Sequence, residues 1–468
     1  MSRKDKKLPV YQNIEISDVA AEGKAIARIE NMVIFLTGVV PGDVVDIQIT
    51  RKKNSYMEGK AVLFHKYSEL RTEPFCEHFG MCGGCKWQNL PYSEQLKFKE
   101  KQVYDQLERI GKIVPLEKNP ILPSPKSQNY RNKLEFTFSR RRWLLESEMH
   151  TGLEDESGLG FHLSGMFNKV LDIKKCYLAE DIGNEIRNEV RIFAREHELE
   201  FYDINLKQGF LRNLIIRTTT TGELMVIVVF GYEHERKQEL LMGWLLQKYK
   251  EITSLMYVVN TKVNDSITDL VVLQYAGKEY MIETMNDLSF KIGPKSFYQP
   301  NPLQGHNLYK IVRNYCELIG NETVYDFYTG TGTIANFVAP YCRKVIGIEY
   351  VADAIEDAKI NSEINNIKNT FFVAGDIKDI LTEGFINQHG KPDIIITDPP
   401  RAGMHDHVIE TILTHQPKKV VYVSCNPATQ ARDIQLLSVK YDVLKAQPVD
   451  MFPHTHHVEN ICLLQLKN

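Results

Sequence analysis

The sequence predicts a multidomain α/β protein: a small OB-like β-barrel in front, an α+β domain in the middle, and a doubly wound, Rossmann-like α/β domain in the last third. Three observations carry that reading. Five short runs with alternating apolar residues fill positions 10–65. Apolar, strand-like stretches interrupted by one helical stretch fill 130–283. From about residue 286, strand and helix patterns alternate, as in a parallel sheet covered by helices. A chain of 468 residues has room for roughly two to four domains. The changes of texture divide it at 1–66, 67–285 and 286–468.

The front runs are VYQNIEISDVA, KAIARIE, MVIFLTGVV, VVDIQITRKK and EGKAVLFHK. Turns fall at Glu22-Gly23, Pro41-Gly42-Asp43 and Asn54-Ser55. Period-two alternation between turn residues predicts strands, and five of them in so short a stretch predict a small barrel. The segment around VPGD, with GKAIARIE before it and VVDIQITRKK after it, resembles a TRAM domain, an RNA-binding module. Residues 92–110 predict an amphipathic helix, opened by Pro91 and Ser93 and closed by Gly111, with Leu96, Val103, Leu107 and Ile110 on one face. Four prolines in 112–127 predict a linker. LRNLIIR, ELMVIVVF, SLMYVVN and LVVLQYA predict a middle sheet, with a helix near 178–198. The alternating series ETVYDFY, IANFVAPYC, KVIGIEY, ADAIEDAKINSEIN, TFFVAGD, PDIIITDPP, KKVVYVSCNP builds the last domain.

Composition excludes several classes. The longest apolar run, Leu224–Phe230, has seven residues, whereas a membrane helix needs about twenty. The start, MSRKDKKLPV, lacks the apolar core of a secretory signal. Eight cysteines are too sparse for a disulfide scaffold and suit a reducing, cytoplasmic setting. The net charge of −3 hides a split: residues 1–145 hold 25 Lys/Arg against 17 Asp/Glu, and the remainder holds 32 against 43. A basic front end points to a polyanionic partner.

The chemistry concentrates in the last third. DFYTGTG, residues 326–332, follows a strand and opens a helix, so its glycines let backbone approach a ligand. Glu349 ends the next strand, placed to accept from ribose hydroxyls, and Gly375-Asp376 ends the third, placed for an adenine amino group. Three ordered strand ends with suitable acceptors resemble a class I S-adenosylmethionine methyltransferase. At the fourth strand end, Asp398-Pro399-Pro400 is followed by Arg401 rather than the aromatic residue of amino-group methyltransferases. The fifth ends in Ser424-Cys425-Asn426-Pro427, which puts a thiol where ligands bind in this fold. A thiol answers a chemical need. Uracil C5 is too weak a nucleophile to take a methyl group unaided, and thiolate addition at C6 makes it an enolate carbon. A base must then remove the C5 proton. Glu459, in MFPHTHHVE, is the candidate base; the three histidines beside it have no recognisable metal spacing.

SFYQPN, DFYTGTG, TDPPRAG, YVSCNPATQARD and FPHTHHVE, in this order, resemble the RumA/TrmA family of RNA uracil-C5 methyltransferases along essentially the whole chain. The resemblance implies S-adenosylmethionine as methyl donor, Cys425 as nucleophile and Glu459 as base. It implies cofactor contacts at Gln299, Tyr328, Gly330, Thr333, Glu349, Asp376 and Asp398, with Gln299 and Asp398 also touching the uracil. One departure is visible: many members have Phe-Cys-Gly and a later Asn where this chain has Tyr328-Thr329-Gly330 and Thr333. Rival chemistries are methylation of cytosine C5 or of an exocyclic amine by the same fold, and an RNA-binding protein with a decayed catalytic fold.

Cys76, Cys82 and Cys85 crowd into PFCEHFGMCGGCKWQN, and Cys176 is available as a fourth thiol. By spacing alone zinc and iron–sulfur both fit. The resemblance implies a [4Fe–4S] cluster held by these four, and with it the subgroup acting on 23S ribosomal RNA. A cytoplasmic setting and a monomer are the default expectations. A target uracil must be unstacked before a thiol reaches it. Expected RNA contacts are Lys86, Trp87, residues 130–133, Phe136 and Arg140, Arg141 and Arg142.

Overall fold

The computed structural model of the protein describes residues 8–149 and 156–468. The basic residues among positions 1–7, counted in the front-end charge, lie outside the described residues. Strands β1 (Val10–Val19), β2 (Ala25–Ile29), β3 (Met32–Leu36), β4 (Val44–Lys52) and β5 (Tyr56–Lys66) close into a barrel in the order β1-β2-β3-β5-β4. Ile16, Ala27, Ile34, Val45 and Ile47 fill it. The Pro-Gly-Asp turn is held from inside. The Asp43 carboxylate accepts from Val40 N (2.8 Å), Ser68 N (2.9 Å) and Arg71 Nε and Nη2 (2.8 and 2.7 Å). Gly42 beside it has φ +88°, a conformation that favours glycine.

Helix α1 (Tyr92–Arg109) lies where the sequence places it, but its buried stripe is shifted. Val103 and Leu107 enter the core of the C-terminal domain with Ala431 and Ile434. Leu96 is only half-buried and Ile110 is 42% exposed, while Gln95 and Lys99 are fully buried. Positions 95, 99, 103 and 107 form one i, i+4 row. The row is partly polar because its partner is polar: Lys99 Nζ lies 2.6 Å from Asp450 Oδ1, and both side chains are out of water. Removing one member of such a pair costs about 3–5 kcal/mol. The proline-rich stretch after α1 is not a free linker. Its β6 (Glu117–Lys118) adds an edge strand to the C-terminal sheet.

The middle sheet contains β7 (Lys133–Ser139), β8 (Gly158–Leu163), β9 (Met166–Asp172), β10 (Leu211–Thr218), β11 (Leu224–Phe230), β12 (Ile252–Val259) and β13 (Leu273–Gly277), in the order β13-β12-β11-β10-β7-β8-β9. Helices α2 (Asp181–Glu196) and α3 (Glu235–Lys248) pack on one face through Ile186, Val190, Leu241 and Leu245. The other face of β11, through Met225, Ile227 and Val229, packs against Met281. Both faces being covered explains why β11 is apolar throughout. A hairpin of β14 (Met281–Met285) and β15 (Leu288–Ile292) spans the division expected at 285/286.

The C-terminal domain opens with α4 (Pro302–Cys316). It continues as β16 (Thr323–Phe327), α5 (Thr333–Val338), β17 (Lys344–Glu349), α6 (Ala352–Ile364), β18 (Thr370–Ala374), α7 (Ile377–Ile380), α8 (Glu383–His389), β19 (Ile394–Thr397), α9 (Asp406–His415), β20 (Lys419–Ser424), α10 (Pro427–Leu437), β21 (Tyr441–Val449) and β22 (Glu459–Leu466). Its sheet runs β18-β17-β16-β19-β20-β22-β21-β6. Strand order reverses between β16 and β19, which opens a crevice at their carboxyl ends. β22 inserts antiparallel between β20 and β21. No helix among the described residues is long and apolar enough to cross a membrane.

Candidate active site

The five carboxyl ends of β16 to β20 carry the expected groups to one edge. After β16 the chain turns tightly: Tyr328, Gly330 and Gly332 have φ of +61°, +54° and +73°. A Cβ on Gly332 would stand 2.8 Å from Ala358 Cβ, so this turn admits no larger residue without movement. Gly330 N donates to Glu349 Oε2 at 3.1 Å, and Val351 N donates to Oε1 at 3.0 Å. Asp376 caps α7 by accepting from Lys378 N at 3.1 Å. Tyr328, Glu349 and Asp376 line one cavity of about 600 Å³, closed on its other side by Met404, His405 and Val408. That volume suits a nucleoside-sized ligand. Gln299, Gly330, Thr333 and Asp398 do not line it. Thr333 stands at the start of α5, with its hydroxyl 3.3 Å from Thr331 Oγ1, which in turn donates to Phe297 O.

The second half of the site is acidic and buried. β20 and β22 are antiparallel with Ser424 opposite Asn460. Cys425 and Glu459 therefore follow as the next cross-strand neighbours, although 34 positions separate them in the chain. Burial pushes Glu459 up to about 8, the Asp398 charge adding to the effect and Arg401 opposing it. Burial likewise holds Asp398 at about 7. Cys425 is pushed up to about 11 by burial and by Glu459 and Asp398, with Arg401 again opposing. Asp326 is raised to about 7 by burial, although Thr329 Oγ1 donates to it at 2.5 Å. Burial also raises the Tyr309 hydroxyl, which lies in reach of Gln299 and of the charges of Asp398, Asp326 and Glu459. A cluster of carboxylates short of water and of cations is suited to receive a sulfonium cation.

Tyr309, Asp326 and Arg401 were not singled out from sequence as site residues. Arg401 follows the Asp-Pro-Pro run and Asp326 opens the glycine-rich motif, so both had a signal; Tyr309 sits mid-helix and had none. Phe297, in SFYQPN, is 66% exposed, with its carbonyl accepting from Thr331 Oγ1. The loop it belongs to is held by the middle domain: Asn132 Nδ2 donates to Gln299 O (3.2 Å), Asn132 N to Pro300 O (2.9 Å), and Arg217 Nη1 to Gly293 O (2.8 Å).

Several expected RNA contacts are corrected. Trp87, Tyr130 and Phe136 are 3%, 5% and 0% exposed and offer no stacking face. Trp87 instead packs with Val40 and Leu90, seating the barrel on the segment before α1. Tyr130 donates its hydroxyl to Pro453 O at 3.0 Å. Arg140 and Arg141 are exposed, but just past the far end of β7, where the eight residues from Asn132 to Arg140 span roughly 26 Å at about 3.3 Å per residue. The histidines of FPHTHHVE are kept neutral by burial, His454 and His456 at about 4 and His457 at about 3.

Cys76, Cys82, Cys85 and Cys176 line a single cavity of about 450 Å³ with Phe79 and Arg131. Burial raises all four thiols, Cys82 to about 11 and Cys85 to about 12, and the three loop cysteines with Cys176 lie within electrostatic reach of one another. The donor chemistry fits a thiolate-bound group. The expected iron–sulfur character of the middle domain is nevertheless not shown: among the described residues no group of three or more His, Cys, Asp or Glu forms a set that could hold a metal ion.

A family model described as tRNA (Uracil-5-)-methyltransferase matches residues 218–467, and a TRAM domain model matches residues 10–62. An uncharacterized RNA methyltransferase of Bacteroides thetaiotaomicron is 59% identical over 454 residues, covering 96% of this chain and 100% of its own. Another from Porphyromonas gingivalis is 53% identical over 464 residues, covering 96% and 99%. The crystal structure of the Pyrococcus abyssi tRNA (uracil-54, C5)-methyltransferase in complex with S-adenosyl-L-homocysteine is similar with a TM-score of 0.74 at 28% identity, covering 96% of this chain and 99% of that one.

Proposed function

The chain belongs to the tRNA (uracil-5-)-methyltransferase family of S-adenosylmethionine-dependent RNA methyltransferases, and from that premise we propose that it methylates C5 of a uridine in 23S ribosomal RNA through a covalent adduct between Cys425 and C6. The observation that carries this reading is the cross-strand placement of a thiol and a buried carboxyl at the carboxyl edge of the sheet. Tyr328, Glu349 and Asp376 bind the nucleoside part of the methyl donor in the adjoining cavity, and Gly330 contributes by orienting Glu349 through its backbone N–H. Thr333, Gln299 and Asp398 face its sulfonium end, and Gln299 and Asp398 also hold the uracil edge. Cys425 adds to C6, C5 takes the methyl group, and Glu459 removes the C5 proton so that the thiolate leaves. Arg401 offsets the carboxylates that oppose ionisation of the thiol. The barrel and the basic front end grip RNA, and the enzyme works as a cytoplasmic monomer.

Cys76, Cys82, Cys85 and Cys176 would hold a [4Fe–4S] cluster. When bound it would supply a structural pin, since methyl transfer to an enolate moves no unpaired electron. The supporting observation is the single cavity shared by the four thiols. Anaerobically purified protein should absorb near the visible range of iron–sulfur clusters; colourless protein with stoichiometric zinc overturns this part. A transfer RNA target is the second reading, favoured by the Pyrococcus neighbour. Mapping 5-methyluridine in ribosomal and transfer RNA from a strain lacking this gene decides between them. Full turnover by Cys425→Ala would overturn the covalent mechanism and favour methylation of an exocyclic amine, which needs no thiolate adduct.

A further inference from the structure

Glu459 begins β22, and the segment before it, residues 450–458, has no regular secondary structure. This segment is held by residues that precede it by some 350 positions. Lys99 Nζ binds Asp450 Oδ1 at 2.6 Å and donates to Phe452 O at 3.0 Å. His454 N donates to Gln95 Oε1 at 2.9 Å, and Gln95 Nε2 lies 3.2 Å from His454 Nδ1. His454 itself sits at φ +66°, with its carbonyl accepting from Lys86 N and Trp87 N at 2.9 and 3.1 Å. Lys99, Gln95 and Asp450 are fully buried. A well-packed apolar pair would fill that space without the desolvation of two charges. What the ions and the amide add is direction: four contacts from Lys99 and Gln95 fix where the chain runs just before Glu459.

We propose that Gln95 and Lys99 are positioning residues for Glu459, holding residues 450–458 in the conformation that sets its carboxylate against the C5 proton of the methylated adduct. This rests on the reading of Glu459 as the base. In that step the carboxylate takes the proton, the C5–H electron pair becomes the C5=C6 double bond, and the C6–S pair returns to Sγ of Cys425. Methylated RNA is then free. Misplacing Glu459 slows this release while leaving nucleophilic addition and methyl transfer, which Cys425 and the donor perform, largely intact.

The test uses the full chain as Gln95→Leu and as Lys99→Met/Asp450→Leu. The paired change leaves no lone buried charge, and Gln95→Leu removes only neutral bonds. Each is mixed with methyl-labelled S-adenosylmethionine and total RNA from a strain lacking this gene. Labelled RNA that stays on the protein in a denaturing gel should rise at least about tenfold over wild type, as expected when part of a general base's contribution is lost. The KM for RNA should move less than about twofold, and Lys99→Arg should restore release. Variants that melt like wild type yet release methylated RNA at its rate would overturn the proposal, as would equal losses of adduct formation and release. Glu459→Gln separates the premise from the proposal. If it traps no labelled RNA, the base assignment fails and the proposal with it. If it traps RNA and the other variants do not, only the positioning role fails.

Discussion

The two halves of the site hold their carboxylates in opposite ways. On the cavity side, Glu349 and Asp376 are met by backbone N–H groups, from their own loops and, for Glu349, also from the glycine-rich turn at Gly330. On the thiol side, desolvation brings Asp398 to about 7 and, with the Asp398 charge beside it, brings Glu459 to about 8. Recognition groups are thus oriented by local donors and left open to share with a ligand. Groups near the chemistry are stripped of water and poised close to neutrality, where proton transfer is most efficient.

Substitutions on the two sides should therefore fail differently. The largest effect is expected at Cys425: Cys425→Ala should cut turnover on the order of 10⁴-fold or more and abolish any protein-linked RNA on denaturing gels. Next is Glu459→Gln, expected to slow release of methylated RNA about 10²–10⁴-fold in single-turnover assays. The same carboxyl gives a signed pH prediction. Its folded value lies above the ordinary glutamate range, so its neutral form favours folding, and that contribution fades as pH rises through about 8. Glu459→Gln should gain thermal stability over wild type as pH goes from 6 to 9, while wild-type turnover climbs over the same interval because the base must be ionised. On the cavity side, Glu349→Ala should weaken S-adenosylmethionine binding about 10–100-fold by calorimetry, with kcat changed far less. The smallest effect is expected from Arg140→Ala/Arg141→Ala. RNA binding should weaken a few-fold at low salt, and the slope of log affinity against log salt should fall by about 2. An unchanged slope would remove these arginines from the RNA path. A Glu349→Ala enzyme that binds normally but turns over slowly would erase the distinction between the halves.

What was legible in the sequence was local. The Pro-Gly-Asp turn announces its barrel because the aspartate closes the turn that the glycine opens. The strand-end groups of the C-terminal sheet could be read in order because each is a short motif next to its own strand. The helical face was misread at Leu96 and Ile110 because Gln95 and Lys99 are buried by a partner some 350 residues away, which no periodicity reveals. Trp87, Tyr130 and Phe136 were placed on the RNA because an aromatic residue serves a core as well as a stacking surface, and only packing distinguishes them. The neighbour relation of Cys425 and Glu459 depends on β22 inserting antiparallel; the resemblance implied the two roles, but no local spacing shows that pairing. The split charge is only partly explained: the acidic excess of the back half includes the buried carboxylates, and the remaining surface acid has no assigned role.

The ion pair between Lys99 and Asp450 closes a span of 351 residues. Contacts of such separation require the intervening chain to be ordered first, and the entropy of closing them is recovered late. The barrel and the middle sheet form from strands far closer in sequence, whereas the segment leading to Glu459 has to wait for α1 to dock. Pulse-labelled hydrogen exchange during refolding should therefore find the amides of residues 450–458 among the last to be protected. Reactivity would then be the final property the chain acquires, after its shape is otherwise complete, so that an unfinished molecule carries a thiol but no organised means of using it.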